Sequence, residues 1–424
     1  MTVSPISILW TSNIVLPAVA ARLGVPETPF GGWLSVTTNR LAGVEGLRLG
    51  VAMRAPVKSF QHIHQDGIDY FALPQGKGDS YDIRQADCGR VLSEFAPDIL
   101  HVEGTEMAYT RRFLSSWSGR RLISLQGVIN GHKKYQFGNL SLGDFLNPRH
   151  PQHLVVGLAL LANNLLKFRP RLRGERETIA MADHILGRTI WDRAQANWLN
   201  PEAQYHHCPR ILRDPFYGKN WSRAECEPYS IFVGNGASAL KGAHFAVRAL
   251  AQIHRKFPDA KLYIAGRNPW SLSRLSAQRL VGYSVYLMDL ISDLGLRDHV
   301  IFTGQLDAEN MAERMRRSHV VLLSSVIENS PNTLAEAMLM GVPAVPSYVG
   351  GVPSMAQDGK EALFYRAGDS AMLAWQLQRI FEDDDLAEDL SQAAQVRARN
   401  THDPKFITET MVDVYRTVIA GKSA

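Results

Sequence analysis

Short apolar runs along this chain alternate with longer segments in which apolar residues recur at helical spacing. The runs predict buried strands and the longer segments predict amphipathic helices. Strands that alternate with helices form parallel sheets with helices on both faces, so the pattern predicts an α/β protein. The predicted strands are Ile6–Trp10, Leu47–Met53, Ile68–Leu73, Ile99–Val102, Leu122–Leu125, His184–Arg188, Ile231–Gly234, Lys261–Ala265, Val300–Thr303, Val320–Ser324 and Ala344–Pro346. The helices that separate the later strands are predicted at Ala243–Lys256, Asp307–Arg317 and Asn332–Met340.

The length of 424 residues favours two domains, because single hydrophobic cores stop growing at about 250–300 residues. The alternation breaks between Pro215 and Pro228, in a stretch rich in turn residues. Both halves are expected to be doubly wound units, whose ligands bind beyond the carboxyl ends of the strands. The expected organisation is therefore an N-terminal domain at 1–215, a linker at 216–228, a C-terminal domain at 229–400 and a final amphipathic helix within 401–424, with the active site in a cleft between facing domains.

Composition narrows the classes of function. The net charge is +5 and the pI is about 9.0, which suits phosphorylated small molecules or an anionic membrane surface. No dense Lys/Arg stripe with interleaved aromatic residues is present, so we expect no nucleic-acid partner. Three widely spaced cysteines indicate a reducing compartment and argue against a disulfide framework or a zinc site.

The chain is expected to be cytoplasmic. Its first ten residues contain no basic region or cleavage site and are interpreted as a strand rather than a signal peptide. The longest apolar stretch, Leu154–Leu166, is shorter than the ~20 residues that span a bilayer. Basic residues follow this stretch, and apolar residues beside basic ones can rest on an anionic membrane. One expectation is therefore peripheral contact with the inner face of the plasma membrane. The alternative is that these residues form an ordinary helix with a solvated end. These basic residues are Lys167, Arg169, Arg171, Arg173 and Arg176.

The stretch with the clearest chemical character is Glu328–Glu336. A buried strand is predicted to end near Ser324, and a loop then leads into a predicted helix. Ser330 is a suitable N-cap and Pro331 suits the first helical position. The free N–H groups in the first turn of that helix form an anion site, for which a nucleoside diphosphate is a plausible occupant.

The polar residues around this helix start fit the same ligand. Asn332 and Glu336 are four residues apart and share a helix face, with Thr333 beside them. The Glu336 carboxylate could accept hydrogen bonds from both hydroxyls of a ribose, and Glu328 could hold the hydroxyls of a sugar. The alternative is that both glutamates are surface or helix-dipole charges, but the order of strand, loop, helix and following GVPAV strand argues against it.

This segment resembles the E-x7-E motif of glycosyltransferase family 4, a group of retaining enzymes of the GT-B type. The resemblance implies two facing Rossmann-like domains, an N-terminal domain on the acceptor side, a last helix that crosses back to it, and a UDP- or GDP-linked sugar as donor substrate without a further cofactor or metal. It also implies transfer to a glycan or lipid-linked acceptor, with polysaccharide or glycolipid assembly as the setting. Other segments that resemble the family are FGGW (30–33), PDILHVEG (97–104), IFVGNGASALKG (231–242), LYIAG (262–266), VIFTGQ (300–305) and GGVPSMAQDGKEALFY (350–365).

The resemblance also implies roles for residues near the donor. Gly31 and Gly32 would let the backbone approach the donor closely. Lys241 would neutralise charge on the leaving diphosphate. Many relatives carry arginine at the position of Asn235, so a cation from elsewhere would be needed, and Arg267 is one candidate. Ser330, Asn332, Thr333 and Glu336 complete the expected donor site.

Two predicted strand ends of the N-terminal half, at PDILHVEG (97–104) and LISLQG (122–127), carry the remaining candidates. His101 matches the first position of a His-x-His pattern that in relatives touches the donor sugar, and Glu103 takes the second position. Gln126 replaces a further histidine of the family. With Lys241 and Glu328, His101 and Glu103 are the expected catalytic residues, and no metal ligands are expected.

Two other functions compete with this one. The departures from the family pattern at Asn235, Glu103 and Gln126 suggest a GT-B-like binding or regulatory subunit without turnover. GNGASA (234–239) formally matches a dinucleotide-binding fingerprint. That site needs an acidic residue at a strand end about 20 residues on, whereas Asp259 precedes its strand. A sugar-nucleotide-dependent hexosyltransferase is the function we expect.

Overall fold

The computed structural model describes residues 5–27, 31–75, 82–145, 166, 168–271 and 283–421. The chain divides into two compact units. Unit 1 comprises 1–131, 169–213 and 402–424, and unit 2 comprises 132–168 and 214–401. The predicted boundaries differ from this division chiefly at 132–168, which groups with unit 2.

Unit 1 is built on a largely parallel sheet. Its strands are β1 Ile6–Ser12, β2 Leu47–Ala55, β3 Gln61–Gln65, β4 Ile68–Pro74, β5 Ile99–Glu103, β6 Arg120–Ser124, β7 His184–Gly187 and β8 Gln204–His207. The first described helices of this unit are α1 Pro17–Leu23, α2 Gly32–Ala42, α3 Gln85–Phe95, α4 Ala108–Ser115 and α5 Ile129–His132. The last residue of α5, His132, is assigned to unit 2.

The strand order in this sheet is β3-β4-β2-β1-β5-β6-β7-β8. Only β3 pairs antiparallel, with β4. The central strands β1 and β5 are buried on both faces, as parallel strands covered by helices require. The edge strands β3 (QHIHQ) and β8 (QYHH) were not predicted, because each has little of the apolar pattern that marks a buried strand.

The C-terminal helix packs in unit 1. Ile407, Met411 and Tyr415 share an apolar cluster with Trp10 of β1. The Trp10 indole Nε1 also donates a hydrogen bond of 2.8 Å to the Tyr415 hydroxyl. The remaining helices of unit 1 are α7 Arg169–Ala180, α8 Ile190–Leu199 and α16 Pro404–Ala420, the helix described in this paragraph.

Unit 2 contains a second parallel sheet. Its strands are β9 Glu227–Val233, β10 Lys261–Ala265, β11 Val300–Gly304, β12 Ser318–Leu323 and β13 Ala344–Pro346. Its helices, within the described ranges, are α6 Leu142–Phe145, α9 Ala243–Ile253, α10 Tyr283–Asp293, α11 Ala308–Arg316, α12 Asn332–Met340, α13 Val352–Met355, α14 Ser370–Glu382 and α15 Asp384–Thr401. Short 3-10 turns lie at Lys133–Tyr135, Asp214–Phe216, Ala239–Lys241 and Pro269–Ser271.

The strand order in this second sheet is β11-β10-β9-β12-β13. The chain runs outward from β9 through β10 to β11, then returns to the other side of β9 as β12. The order therefore reverses between β9 and β12, and ligands of open α/β sheets bind at such a point.

The apolar stretch Leu154–Leu166 lies outside the described residues except for Leu166, which is exposed. Within the described ranges, no helix has both the length and the apolar character needed to cross a membrane.

Candidate functional site

The loops that follow β9 and β12 meet at the reversal point of unit 2. The Val326 N–H donates to the Leu240 carbonyl at 3.0 Å, and the Ser324 hydroxyl donates to the Lys241 carbonyl at 2.9 Å. These bonds attach the loop carrying Glu328 to the turn carrying Lys241. The sheet topology thus brings together two residues that the sequence separates.

Lys241 and Glu328 form an ion pair at this point. The Lys241 ammonium donates to Glu328 Oε1 at 2.5 Å, and the Ser325 hydroxyl donates to the same oxygen at 2.7 Å. The two ion-paired side chains are 30% and 13% exposed, so both remain partly open to solvent. Because Oε1 already accepts two protein donors, Oε2 is the better placed oxygen for a ligand hydroxyl.

The loop after β13 closes over the backbone of Glu328. The Gly351 N–H donates to the Glu328 carbonyl at 3.0 Å. Gly350 has a positive φ of 49°, and a Cβ at this position would lie 2.0 Å from that carbonyl oxygen. Only glycine allows this approach, which explains the glycine at position 350.

Helix α12 spans the predicted range Asn332–Met340, but its N-cap differs from the one expected. Pro331 has extended ψ of 116° and occupies the N-cap position, so Asn332 is the first helical residue and Ser330 lies outside the helix. The prediction of Ser330 as N-cap and Pro331 as first helical residue was therefore wrong. The methyl group of Thr333 faces the end of β9, since a Cβ on Gly234 would lie 2.8 Å from it.

The other donor-site candidates in unit 2 are less clearly placed for binding. Glu336 is 1% exposed, on the buried side of α12. The Asn235 side-chain oxygen accepts the Ala237 N–H at 3.0 Å, which closes a local turn, and Arg267 is exposed after β10. Asn235 is therefore a turn-forming residue in this structure.

His101 does not have the accessibility expected of a residue that touches a donor sugar. It is fully buried in unit 1, where its Nδ1 lies 2.9 Å from the Tyr415 hydroxyl and its Nε2 lies 2.8 Å from the Ser124 hydroxyl. Burial lowers the pKa of His101 to about 3, so the ring is neutral at pH 7. The expectation of a catalytic His101 is not met, because protein groups already engage both ring nitrogens.

Glu103 forms a buried ion pair that sequence reasoning missed. The Arg210 guanidinium donates to Glu103 Oε1 at 2.7 Å and stacks on the Trp33 ring at 3.5 Å. Burial raises the pKa of Glu103 and lowers the pKa of Arg210 to about 9. These residues line a small pocket with Arg188, within unit 1. Arg210 lies in a run without motif character, so nothing in the sequence pointed to it.

Gly31 and Gly32 begin helix α2 in unit 1, and Phe30 of the FGGW segment lies outside the described residues. A Cβ on Gly32 would lie 3.2 Å from the Arg213 side chain. The predicted site residues thus divide between the two units, and Lys241 and Glu328 are in contact within unit 2. In the part of the chain that the structure describes, no three His, Cys, Asp or Glu side chains cluster closely enough to hold a metal ion.

The whole chain has the GT-B fold. Sucrose-phosphate synthase from Thermosynechococcus elongatus matches 98% of this chain and 100% of its own, with a TM-score of 0.73 and 18% identity. HepE from Anabaena, in complex with UDP, matches 97% of this chain and 100% of its own, with a TM-score of 0.65 and 16% identity. At these identities the likeness establishes the fold alone.

Sequence comparison finds a family match in the C-terminal half. Residues 216–397 match the model of the family glycosyl transferases group 1. N-acetyl-alpha-D-glucosaminyl L-malate synthase from Bacillus anthracis is 29% identical over 200 residues, 47% of each chain. Phosphatidyl-myo-inositol mannosyltransferase from Mycobacterium leprae is 29% identical over 194 residues, 46% of this chain and 47% of its own. The chain thus spans about half the length of the curated relatives it matches.

Proposed function

We propose that this chain is a hexosyltransferase that moves a sugar from a UDP- or GDP-linked donor to a glycan or lipid-linked acceptor. The observation that carries the proposal is the Lys241–Glu328 pair, which lies at the reversal point of the unit 2 sheet beside the start of α12. A cation, a carboxylate and a helix N-terminus in one place suit a sugar diphosphate, whose phosphates are anionic and whose sugar offers hydroxyls.

Lys241 acts on the leaving group in this proposal. As the bond to the sugar breaks, negative charge grows on the nucleoside diphosphate, and a fixed ammonium stabilises that charge. The N–H groups at the start of α12, with the side chains of Asn332, Thr333 and Ser330, bind the same phosphates.

Glu328 holds the transferred sugar and Glu336 holds the ribose. The Oε2 atom of Glu328 accepts a sugar hydroxyl while Lys241 and Ser325 fix Oε1. Glu336 is 1% exposed and lies in the second turn of α12, so ribose contact requires the ligand to approach that turn closely. Gly31, Gly32 and Glu103 of unit 1 remain proposed contacts of the donor or acceptor, and Arg267 a proposed cation for the donor.

Retention at the anomeric carbon and independence of metal follow from the resemblance to family 4 enzymes. The transition state is oxocarbenium-like, and the leaving group departs from the face that the acceptor attacks. We assign no covalent nucleophile.

Polysaccharide or glycolipid assembly at the cytoplasmic face of a membrane is the setting that we propose. The Mycobacterium leprae relative is named for transfer to phosphatidyl-myo-inositol, and a HepE structure contains UDP-glucose. The net charge of +5 suits anionic membrane surfaces and anionic substrates.

Turnover distinguishes this function from that of a binding subunit without activity. Asn235 is a turn residue and Glu103 is paired to Arg210, and both observations fit a transferase as well as a binding subunit. Release of UDP or GDP from UDP-glucose or GDP-mannose should be measured with phosphatidylinositol vesicles or an oligosaccharide as acceptor, with chelator and then with Mg²⁺ or Mn²⁺. Release that depends on acceptor and is lost in Lys241→Ala supports the transferase. Tight donor binding without release in any of these conditions would favour the binding subunit.

A further inference from the structure

A segment of the N-terminal half of the chain packs against the turn that carries Lys241. Residues 133–139 belong to unit 2, and among them Gly138 alone is buried. Gly138 has a positive φ of 62°, and a Cβ there would lie 2.1 Å from the Ala239 carbonyl oxygen. Ala239 begins the 3-10 turn that ends at Lys241. The absence of a side chain at Gly138 therefore lets the segment lie directly against this turn.

The loop after β12 supports the same turn. The Ser324 hydroxyl donates to the Lys241 carbonyl at 2.9 Å, and a Cβ on Gly242 would lie 1.9 Å from the Ser324 carbonyl oxygen. Within the turn, the Lys241 N–H donates to the Ser238 carbonyl at 3.0 Å. The backbone of Lys241 thus has two supports from distant parts of the sequence, and residues 133–139 provide one of them.

A buried histidine of α9 bonds this segment in place. Nε2 of His244 lies 3.2 Å from the Gly138 carbonyl oxygen, and Nδ1 lies 3.2 Å from the Tyr283 hydroxyl. A carbonyl oxygen can only accept a hydrogen bond, so Nε2 carries the proton and Nδ1 accepts from the Tyr283 hydroxyl. Burial lowers the pKa of His244 to about 4, so the ring stays neutral at pH 7 and keeps this arrangement.

His244 occupies a position at which packing alone would favour an apolar residue. It is fully buried, and every other buried residue of α9 is apolar. A buried imidazole costs free energy unless its nitrogens have partners, and His244 has them in Gly138 and Tyr283. Because both nitrogens are engaged and the ring is not exposed, His244 acts on its neighbours rather than on a substrate.

We propose that His244 is a positioning residue for Lys241. Its bond to the Gly138 carbonyl keeps residues 133–139 against the turn from Ala239 to Lys241, and this contact holds the Lys241 ammonium where the donor diphosphate binds. The inference rests on the proposed function and adds to it a support from the N-terminal half of the chain. It predicts that the effect of His244 on diphosphate binding passes through Lys241 and disappears when Lys241 is removed.

A double-mutant cycle separates positioning of Lys241 from a general effect on folding. UDP or GDP, whichever the wild type binds more tightly, is titrated calorimetrically into wild type, His244→Ala, Lys241→Ala and the double variant. In His244→Ala the affinity should fall about fivefold, as the loss of one hydrogen bond between neutral groups implies. The same substitution in the Lys241→Ala chain should change the affinity by less than about twofold. His244→Gln, which keeps an N–H donor for Gly138, should recover part of the loss.

Two glycines give a matched test that leaves His244 in place. Gly138 and Gly295 both belong to unit 2 and have similar positive φ, of 62° and 68°, but a Cβ on Gly295 would meet nothing within 4 Å. Gly138→Ala forces the segment away from Ala239 and should lower nucleotide affinity about fivefold or more, again only when Lys241 is present. Gly295→Ala has the same backbone cost and should leave nucleotide affinity unchanged.

The other results separate this inference from the proposed function. Unchanged nucleotide affinity in a folded His244→Ala variant would overturn the role of His244. An equal loss with and without Lys241 would also overturn it, because the loss would then reflect the stability of unit 2. If His244→Ala does not fold, the His244→Gln and Gly138→Ala variants distinguish the same results. Absence of UDP and GDP binding to the wild type, or binding that Lys241→Ala does not change, would instead reject the proposed function itself.

Discussion

The Lys241 ammonium lies 2.5 Å from Oε1 of Glu328, although 87 residues separate the two positions in the sequence. The pairing follows from topology, because β9 and β12 are neighbours in the sheet and the loops after them leave at the same edge. In the absence of ligand each charge neutralises the other. A bound diphosphate would offer Lys241 a second anion, so donor binding and the ion pair are expected to be coupled.

Removal of Lys241 should weaken diphosphate binding and slow transfer. In Lys241→Ala the affinity for UDP or GDP should fall about 10- to 100-fold, the range for hydrogen bonds to charged groups. The kcat for transfer should fall about 100- to 1,000-fold, as for other donors that stabilise a leaving charge. Calorimetry and initial rates measure the two effects. Lys261→Ala, which removes an exposed lysine of β10 paired to Glu227 at 3.7 Å, is the control and should behave as wild type.

Ser325 should act as a positioning residue through Glu328. Ser325→Ala removes the 2.7 Å hydrogen bond to Oε1 and leaves Lys241 in place. We expect kcat/KM for the nucleotide sugar to fall about fivefold, with UDP or GDP affinity unchanged. Ser325→Thr restores a hydroxyl and should recover kcat/KM. The control Ser238→Ala, at an exposed position of the loop after β9, should change neither kcat/KM nor nucleotide affinity. If UDP or GDP affinity falls together with kcat/KM, Ser325 supports the loop as a whole.

Two glycines with similar backbone allow the shape of the site to be tested. Gly350 and Gly359 both have positive φ, of 49° and 73°. Around Gly359 a Cβ would meet nothing within 4 Å, whereas at Gly350 it would meet the Glu328 carbonyl at 2.0 Å. Gly359→Ala should lower the free energy of unfolding by about 1–2 kcal/mol, the cost of the left-handed backbone alone. Gly350→Ala should cost about 1–3 kcal/mol more and should also abolish donor binding.

Denaturant titrations and calorimetry of the two alanine variants measure these differences. Equal stability and equal donor affinity would show that the loop after β13 tolerates displacement and does not shape the site.

Buried histidines should make the folded state sensitive to acid. Burial lowers the pKa of His101 to about 3, and those of His206 and His244 to about 4, from a usual 6.5. Below pH 6.5 the unfolded chain binds protons that the folded chain does not, so stability is full above pH 6.5 and falls as the pH falls toward 4. Each such group contributes a slope of up to about 1.4 kcal/mol per pH unit.

The contribution of His101 can be isolated with the variant His101→Gln, which should be less stable than wild type at pH 7. The free energy of unfolding of this variant should also depend less steeply on pH, by the equivalent of up to one bound proton. Urea unfolding between pH 7.5 and 4.5 measures both values. A slope equal to that of the wild type would mean that His101 titrates normally in the folded chain, contrary to its burial.

Much of the fold was predictable because its central strands are continuous apolar runs. The bounds of β10, β13 and α12 match the prediction residue for residue. The edge strands β3 and β8 escaped it, since polar edge strands lack the apolar pattern. The N-cap of α12 was assigned to Ser330 instead of Pro331, because Pro331 fits either the N-cap or the first helical position and the sequence alone does not determine its ψ.

The candidate site was predictable only in part, because local motifs are visible in a sequence and long-range contacts are not. Lys241 and Glu328 each lie in a recognisable motif. The contact of Gly138 with the turn that carries Lys241 became visible only in the structure. The partner of Glu103 and the burial of His101 likewise depend on the way helices and strands of unit 1 pack.

Calorimetric titration of UDP, GDP and ADP into the purified chain, in chelator without divalent metal, is the decisive experiment for a donor site at the Lys241–Glu328 pair. We expect saturable binding of UDP or GDP that weakens about 10- to 100-fold in Lys241→Ala and is lost in Glu336→Ala. Absence of binding for all three nucleotides, or binding that neither substitution changes, would contradict a donor site at the Lys241–Glu328 pair.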